Sequence, residues 1–378
     1  MSDFFSLSDF LEPLDPYALS GDEGYRDKQI GTFVLMNTGE IPDLTHADLV
    51  IIGCGEWRGA HISAEEFASP NAIRHQLYSL YFWHNQLKIA DLGNVRRGAS
   101  VQDTYVALST VIKEMMDLGK TVIILGGSHD LTLAQYEAYR SRKQVIEAIC
   151  IDALIDLSLA SPLRSENFLM EMLTGEPNYI RQYNHLAFQS YLVHPDILET
   201  LDKLGFDCYR LGHVREFADE VEPLLRDSNM LSIDISALAH SAAPANRVSP
   251  NGLNGEEICT LTQHAGMAPN LNSIGVYGYR ASQDEQELTA KQIAHMLWYF
   301  IDGRFKGLQE ASLEDREHFN EFYLQFAEVE TEFIQSKRTG RWWAKLPSGR
   351  FISCSYKDYL QASNNELPER WMRALERE

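Results

Sequence analysis

Cysteine is scarce in this chain: five among 378 residues (Cys54, Cys150, Cys208, Cys259 and Cys354), scattered and forming no Cys-x-x-Cys pair. An odd, dispersed set excludes a disulfide framework and a zinc ribbon, and it fits a reducing compartment. Long apolar runs are absent as well, and none approaches the length of a membrane-spanning helix. The opening Met1-Ser-Asp-Phe-Phe5 has neither a basic region nor a hydrophobic signal core, so the expected location is the cytoplasm. Positive charge is in short supply: 33 Lys and Arg face 54 Asp and Glu, a formal net charge of −21. That balance argues against nucleic acid and anionic membrane surfaces as partners. Internal repeats and low-complexity tracts are missing too. What is present is ordinary globular material, 44% hydrophobic and 23% charged. The length suits one large α/β domain or two small ones.

Apolar runs of strand length alternate with helical patterns through the middle of the chain. Strands are expected at Asp48–Gly53, Lys88–Gly93, Thr121–Leu125, Ile149–Ile151, Ser190–Val193, Cys208–Leu211, Met230–Ile235 and Ser273–Tyr277. Between them, Ser69-Pro-Asn-Ala72 reads as a helix start with proline in the first turn. Further helices are expected at Val101–Leu118, Pro195–Leu204, Glu220–Arg226, Gly255–Ala265 and Thr289–Ile301. Repeated βα units predict a three-layer α/β fold: a mostly parallel sheet with helices on both faces. Residues 1–46 form an expected N-terminal extension, broken by Pro13, Pro16, Gly21, Gly24 and Gly39, and docked through Phe4, Phe5, Phe10 and Leu11. Residues 304–378 form an expected C-terminal extension, with Phe319, Tyr323, Phe326 and Phe333 at helical spacing, then a short strand Phe351–Cys354 and a last helix around Trp371. The pair Trp342-Trp343 either packs on the main domain, the preferred expectation, or anchors a partner.

Three strands end on polar residues: Gly126-Gly-Ser-His-Asp130, Asp152-Ala-Leu-Ile-Asp156 and Ser232-Ile-Asp-Ile-Ser236. Strand carboxyl ends are where open α/β sheets place their sites, and these ends collect His129, Asp152, Asp156 and Asp234. The three stretches resemble the signatures of the ureohydrolase family (arginase, agmatinase, formimidoylglutamase): Gly-Gly-Asp-His, Asp-Ala-His-x-Asp and Ser-x-Asp-x-Asp. Asn71-Ala-Ile-Arg74, Ile89–Gly93, Leu131–Gln135 and Asn251-Gly-Leu253 add to the likeness. It runs from about Ala47 to Gly303 and is greatest for the formimidoylglutamase-like branch.

The resemblance implies an arginase-like domain over residues 47–303, a homo-oligomer, and two divalent cations, usually manganese, sharing a hydroxide that attacks an amidine or guanidine carbon. By position, His129 and Asp156 correspond to ligands of the first metal, and Asp152 and Asp234 to carboxylates shared by both. Both ligands private to the second metal are replaced, by Leu154 and Ser236, so a two-metal centre is not expected. Ser128 stands in place of the signature aspartate. Ala239-His240 replaces Asp-Pro, with His240 a conceivable substitute ligand, and Glu166-Asn167 lies where some members keep a histidine. Tyr277 or Gly278 takes the place of the glutamate that holds the cationic end of the substrate. No catalytic set is intact.

One histidine and three carboxylates leave the site near −3, so it should bind one divalent cation, Mn2+ first among candidates, or hold a proton on a carboxyl. Two functions follow. The preferred one is a pseudoenzyme or binding protein for a small amidine or amino-acid-like ligand. The alternative is a hydrolase using a single metal to cleave C–N bonds in linear amidines, such as a formimidoyl or guanidino amino acid.

Overall fold

Thr121-Val-Ile-Ile-Leu-Gly126 shows why the centre of the chain makes strands: it is β-branched and aliphatic, and all six residues are buried. In the computed structural model, which describes residues 7–21, 23–62, 64–84, 86–158, 160–326 and 329–376, this segment is one of ten strands of a single sheet. The strands are β1 (Leu11–Glu12), β2 (Leu35–Met36), β3 (Leu49–Cys54), β4 (Ile89–Val95), β5 (Thr121–Gly126), β6 (Ile146–Ile151), β7 (Ile180–Phe188), β8 (Asp207–Arg210), β9 (Met230–Asp234) and β10 (Ser273–Tyr277). Their order is β1-β4-β3-β5-β10-β9-β6-β7-β8, with β2 also beside β4. Every pairing is parallel except β1 with β4.

Successive residues point to opposite faces, and each face has its own core. Leu49, Ile51, Ile123 and Leu125 join one apolar cluster, with helices Ser69–Tyr78, Gly255–Gly266 and Leu288–Gly307. Val50, Ile52, Val122 and Ile124 join the other, beneath Val101–Asp117 and Thr132–Ser141. The helix starts are specified locally. Ser100 and Asp103 form a capping box for one, and Asn254 and Glu257 for another. These are the three layers expected. No helix among the described residues is long and apolar enough to cross a membrane.

Two expectations are corrected. Ser190–Leu192 is a 3-10 turn, not a strand; the strand lies earlier, at Ile180–Phe188. Arg181, Gln182, Asn184 and His185 interrupt its apolar pattern. It survives in the sheet because they find partners, Gln182 donating to Asp207 at 2.9 Å and Tyr183 Oη lying 2.9 Å from His185 Nδ1. The second correction concerns residues 319–336, expected as helix. They form the hairpin β11 (Phe319–Phe326) and β12 (Val329–Ser336), which β13 (Trp342–Lys345) and β14 (Phe351–Cys354) extend into a four-stranded antiparallel sheet. The aromatic spacing that resembles one helix face is instead divided between the two faces of the sheet. Phe319, Ile334 and Trp343 share one face, and Phe326, Phe333 and Trp342 the other.

Trp342 and Trp343 are both buried within the chain. Arg226, on helix Ala218–Asp227, stacks its guanidinium 4.5 Å from the Trp343 ring and donates to the carbonyls of Trp342 (2.8 Å) and Cys354 (3.2 Å). At the other end Leu11, Leu14 and Leu19 are buried, while Phe4 and Phe5 lie outside the described residues.

Candidate metal centre

The strand order places β10 and β9 between β5 and β6, so the carboxyl ends of β5, β9 and β6 face one crevice. Beyond β5 the chain passes through Gly127, where a side chain would collide with the Glu56 carbonyl, and Ser128 N–H donates to that same oxygen at 2.9 Å. This close approach turns His129 into the crevice. Asp152 follows β6 directly, Asp156 lies one turn later, and Asp234 is the last residue of β9.

The four side chains meet. His129 Nδ1 lies 2.8 Å from Asp152 Oδ2, 3.0 Å from Asp156 Oδ2 and 4.0 Å from Asp234 Oδ2. Its Nε2 lies 2.9 Å from Ser232 Oγ, itself 2.7 Å from Thr132 Oγ1, and this chain fixes the ring. Neighbouring donors on a hard cation with bonds of about 2.1 Å sit roughly 3 Å apart, and opposite ones roughly 4 Å. Asp152 and Asp156 thus have neighbouring spacing from His129, and Asp234 has opposite spacing. His129, Cys150 and Asp152 bring their ligand atoms within 4.8 Å of one another and so form a group able to hold a divalent cation, with the Asp156 and Asp234 carboxylates beside it.

The carboxylates are buried together and repel one another. Burial, with repulsion from Asp152 second, pushes Asp156 up to about 8 and Asp234 to about 6. Burial opposes the charged form of His129, yet Cys150 and the Asp152 and Asp156 carboxylates outweigh it and hold the imidazole well above its ordinary value.

The residues do not fit a second metal. Asp152 Oδ1 accepts from the Leu154 N–H at 2.9 Å and from the Ser236 hydroxyl; Asp234 Oδ1 accepts from the Ser236 N–H at 2.8 Å. Each carboxylate that would be shared has its outer oxygen capped by hydrogen bonds, and Leu154 offers no donor. His240 Nδ1 lies 3.0 Å from the Asn246 carbonyl, so it is engaged there. Ser128 donates to the Glu56 carbonyl at 3.2 Å. Tyr277 is buried, its hydroxyl donating to Gln135 at 2.8 Å. Gly278 has φ +81°, and a Cβ there would lie 2.5 Å from Asp234 Oδ2, so main chain packs directly on the carboxylate. Neither position supplies an acid. Glu56 is closed by Arg58 at 2.9 Å, which makes the loop after β3 a capped turn.

Two neighbours went unflagged in the sequence. Cys150 Sγ lies 3.7 Å from His129 Nε2, its thiol pushed up to about 11 by burial, a soft neutral group on the far edge of the ring. Its position two residues before Asp152, hence on the same strand face, was the available signal. Asp130 is fully buried, neither carboxylate oxygen has a partner among the described residues, and burial pushes it up to about 7.

The fold and crevice define a ureohydrolase-type α/β protein. The chain belongs to the arginase family, whose model matches residues 47–302. Among curated relatives, the formimidoylglutamase of Streptococcus pyogenes serotype M3 is 24% identical over 324 residues, covering 78% of this chain and 98% of the relative. A structure of Trypanosoma cruzi formiminoglutamase with Mn2+2 superposes with a TM-score of 0.62 at 18% identity, covering 68% of this chain and 94% of the other. Bacillus subtilis formimidoylglutamase gives 0.62 at 16% identity, over 80% and 93%. These likenesses establish the arginase-like fold.

Proposed function

We propose that the chain is a metal-dependent hydrolase of C–N bonds in linear amidines, a formimidoyl or guanidino amino acid being the substrate class, and that it works with a single divalent cation, Mn2+ first. The observation that carries this is the convergence of His129 Nδ1 with the Oδ2 atoms of Asp152, Asp156 and Asp234. The formimidoylglutamase relatives support the substrate class. A divalent cation held there supplies Lewis acidity, bringing the ionisation of water toward neutral pH. The chain's own residues do the rest. Ser232 and Thr132 fix the imidazole, Asp152 and Asp156 neutralise the cation, and Asp234, the most exposed of the four, forms the edge that meets substrate. Assembly into a homo-oligomer, a cytoplasmic location and the division at residues 46 and 303 are proposals carried by the family resemblance and the composition.

The test is elemental analysis after purification with Mn2+ and dialysis, beside release of formamide from N-formimidoyl-L-glutamate and of urea from guanidino amino acids. One tightly held equivalent and measurable turnover, both lost in Asp234→Ala, are expected. Neither metal nor turnover would refute the proposal. The capping of Asp152 and Asp234 by Ser236 and Leu154 favours a second reading, a binding protein on a non-catalytic shell. One equivalent of metal with no hydrolysed amidine would select it, since a lost electrostatic contact costs on the order of 10²–10³ in rate.

A further inference from the structure

The crevice holds one donor for which a hard, manganese-type cation has little use. Cys150, buried on β6, pairs across the sheet with Ser232 of β9 on one side and His185 of β7 on the other. Its Sγ lies 3.7 Å from His129 Nε2, whereas Asp152 and Asp156 approach the Nδ1 edge of the same ring, at 2.8 and 3.0 Å. Among the described residues, His129, Cys150 and Asp152 are the one buried group whose donor atoms all fall within 4.8 Å of one another.

The spacing suits a ligand pair. A tetrahedral dication with bonds of about 2.3 Å to sulfur and about 2.0 Å to imidazole nitrogen holds those two donors about 3.5 Å apart. Sγ and Nε2 already stand close to that, and the same spacing serves a hydrogen bond while no ion is bound. With Nε2 on an ion, Nδ1 keeps its proton and donates it to the Asp156 carboxylate, the arrangement that orients ligating histidines. Ser232 Oγ then gives up Nε2 and retains Thr132, 2.7 Å away. The surroundings select the ion. Phe168 meets the His129 ring edge-on at 4.9 Å between centroids, and Phe168, Tyr183 and Tyr277 share one apolar cluster with Cys150. A dication with one thiolate, one carboxylate and a neutral imidazole is a neutral complex, which such a wall tolerates better than a charged one. Thiolate suits ions of the zinc class, while manganese and magnesium take carboxylate and water.

We infer that the crevice contains a thiolate seat for a dication of the zinc class, formed by Cys150 Sγ, His129 Nε2 and a carboxylate oxygen of Asp152. As the ion binds, the thiol proton passes to solvent and the sulfur supplies both electrons of the new bond. A neutral imidazole has one lone pair to give, so an ion in this seat excludes one held through Nδ1. The inference rests on the reading of the crevice as a cation site, and its test separates the two. Titration of the full chain with Co2+, after dialysis against EDTA, reads the sulfur bond as a near-ultraviolet thiolate-to-cobalt charge-transfer band. The band is expected in the parent, should be bleached by Zn2+, and should vanish in Cys150→Ser and in Cys150→Ala. Competition between Zn2+ and Mn2+, read by elemental analysis, should show the preference for Zn2+ at least tenfold lower in Cys150→Ser. The parent spectrum keeps the test valid if either variant fails to fold. A parent that takes up no Co2+ or takes it up without the band, a band that persists in Cys150→Ala, or an unchanged preference would each overturn the inference. Manganese uptake with no cobalt band overturns this inference and leaves the proposed hydrolase standing; a cobalt band with no manganese uptake does the reverse.

Discussion

Ser236→Asp, alone and with Leu154→His, probes the centre most directly. Ser236 caps Asp152 Oδ1 through its hydroxyl and Asp234 Oδ1 through its N–H, 2.8 Å away. A carboxylate there removes a buried hydrogen bond worth about 1–3 kcal/mol. It also sets a second negative charge against Asp152, and two charges about 4 Å apart at an effective dielectric constant near 20 repel by about 4 kcal/mol. Without metal the single variant should lose about 5 kcal/mol, a large share of the ~5–15 kcal/mol that holds a domain together. Ser236→Ala, which removes the hydrogen bond and adds no charge, should lose only the smaller part. The double variant gains the two donors missing from the second position and should bind two equivalents of Mn2+. Metal at about 100 times its dissociation constant then returns about 2.7 kcal/mol per site. Urea denaturation in EDTA and in excess Mn2+, with elemental analysis, reads both effects. A Ser236→Asp chain as stable as the parent in EDTA, or a double variant still holding one equivalent, would refute the reasoning.

Asp130 has a folded value of about 7 against an ordinary carboxyl value near 4, so the folded state binds the extra proton between those limits. Stability is therefore lost as pH rises through that window, by about 4 kcal/mol in full, and Asp130→Asn should exceed the parent in denaturant midpoint at pH 8 but not at pH 4. His185 runs the other way. Burial depresses it to about 4, so protons favour the unfolded chain as pH falls from 6.5 to 4, and His185→Gln should flatten an acid loss of about 3 kcal/mol in the same measurement. Arg226→Met removes one of the two cations on buried Glu222, leaving Arg341 at 3.1 Å, and frees the Trp342 and Cys354 carbonyls. Through the two buried carbonyls left without a donor it should cost about 1–3 kcal/mol and expose 319–376 to limited proteolysis before the rest of the chain.

The central strands were legible because burial on both faces demands continuous aliphatic runs, as in Thr121–Gly126 and Ser273–Tyr277. The strand Ile180–Phe188 was hidden because its stability rests on polar side chains whose partners, such as Asp207, come from elsewhere in the chain. The hairpin 319–336 is not legible because aromatic residues three, four and seven apart fit a helical period, whereas the strand pairing puts Phe319 and Phe326 on opposite faces, each in its own apolar cluster. At the site, His129, Asp152, Asp156 and Asp234 could be picked out one by one from motif spacing. The capping role of Ser236 could not, because a serine hydroxyl acquires meaning only from the carboxylate it touches. Asp130 was invisible for a related reason: nothing in a lone aspartate's neighbours says that both its oxygens go without a donor.

Gly278 limits what can be built beside the metal centre. Its main chain lies against Asp234, and a Cβ would stand 2.5 Å from the carboxylate on a backbone with φ +81°. A side chain of any kind has no room there for its first carbon, and the backbone would have to be redrawn to seat one. An acid brought beside Asp234 would therefore have to be carried by a neighbouring position rather than by residue 278.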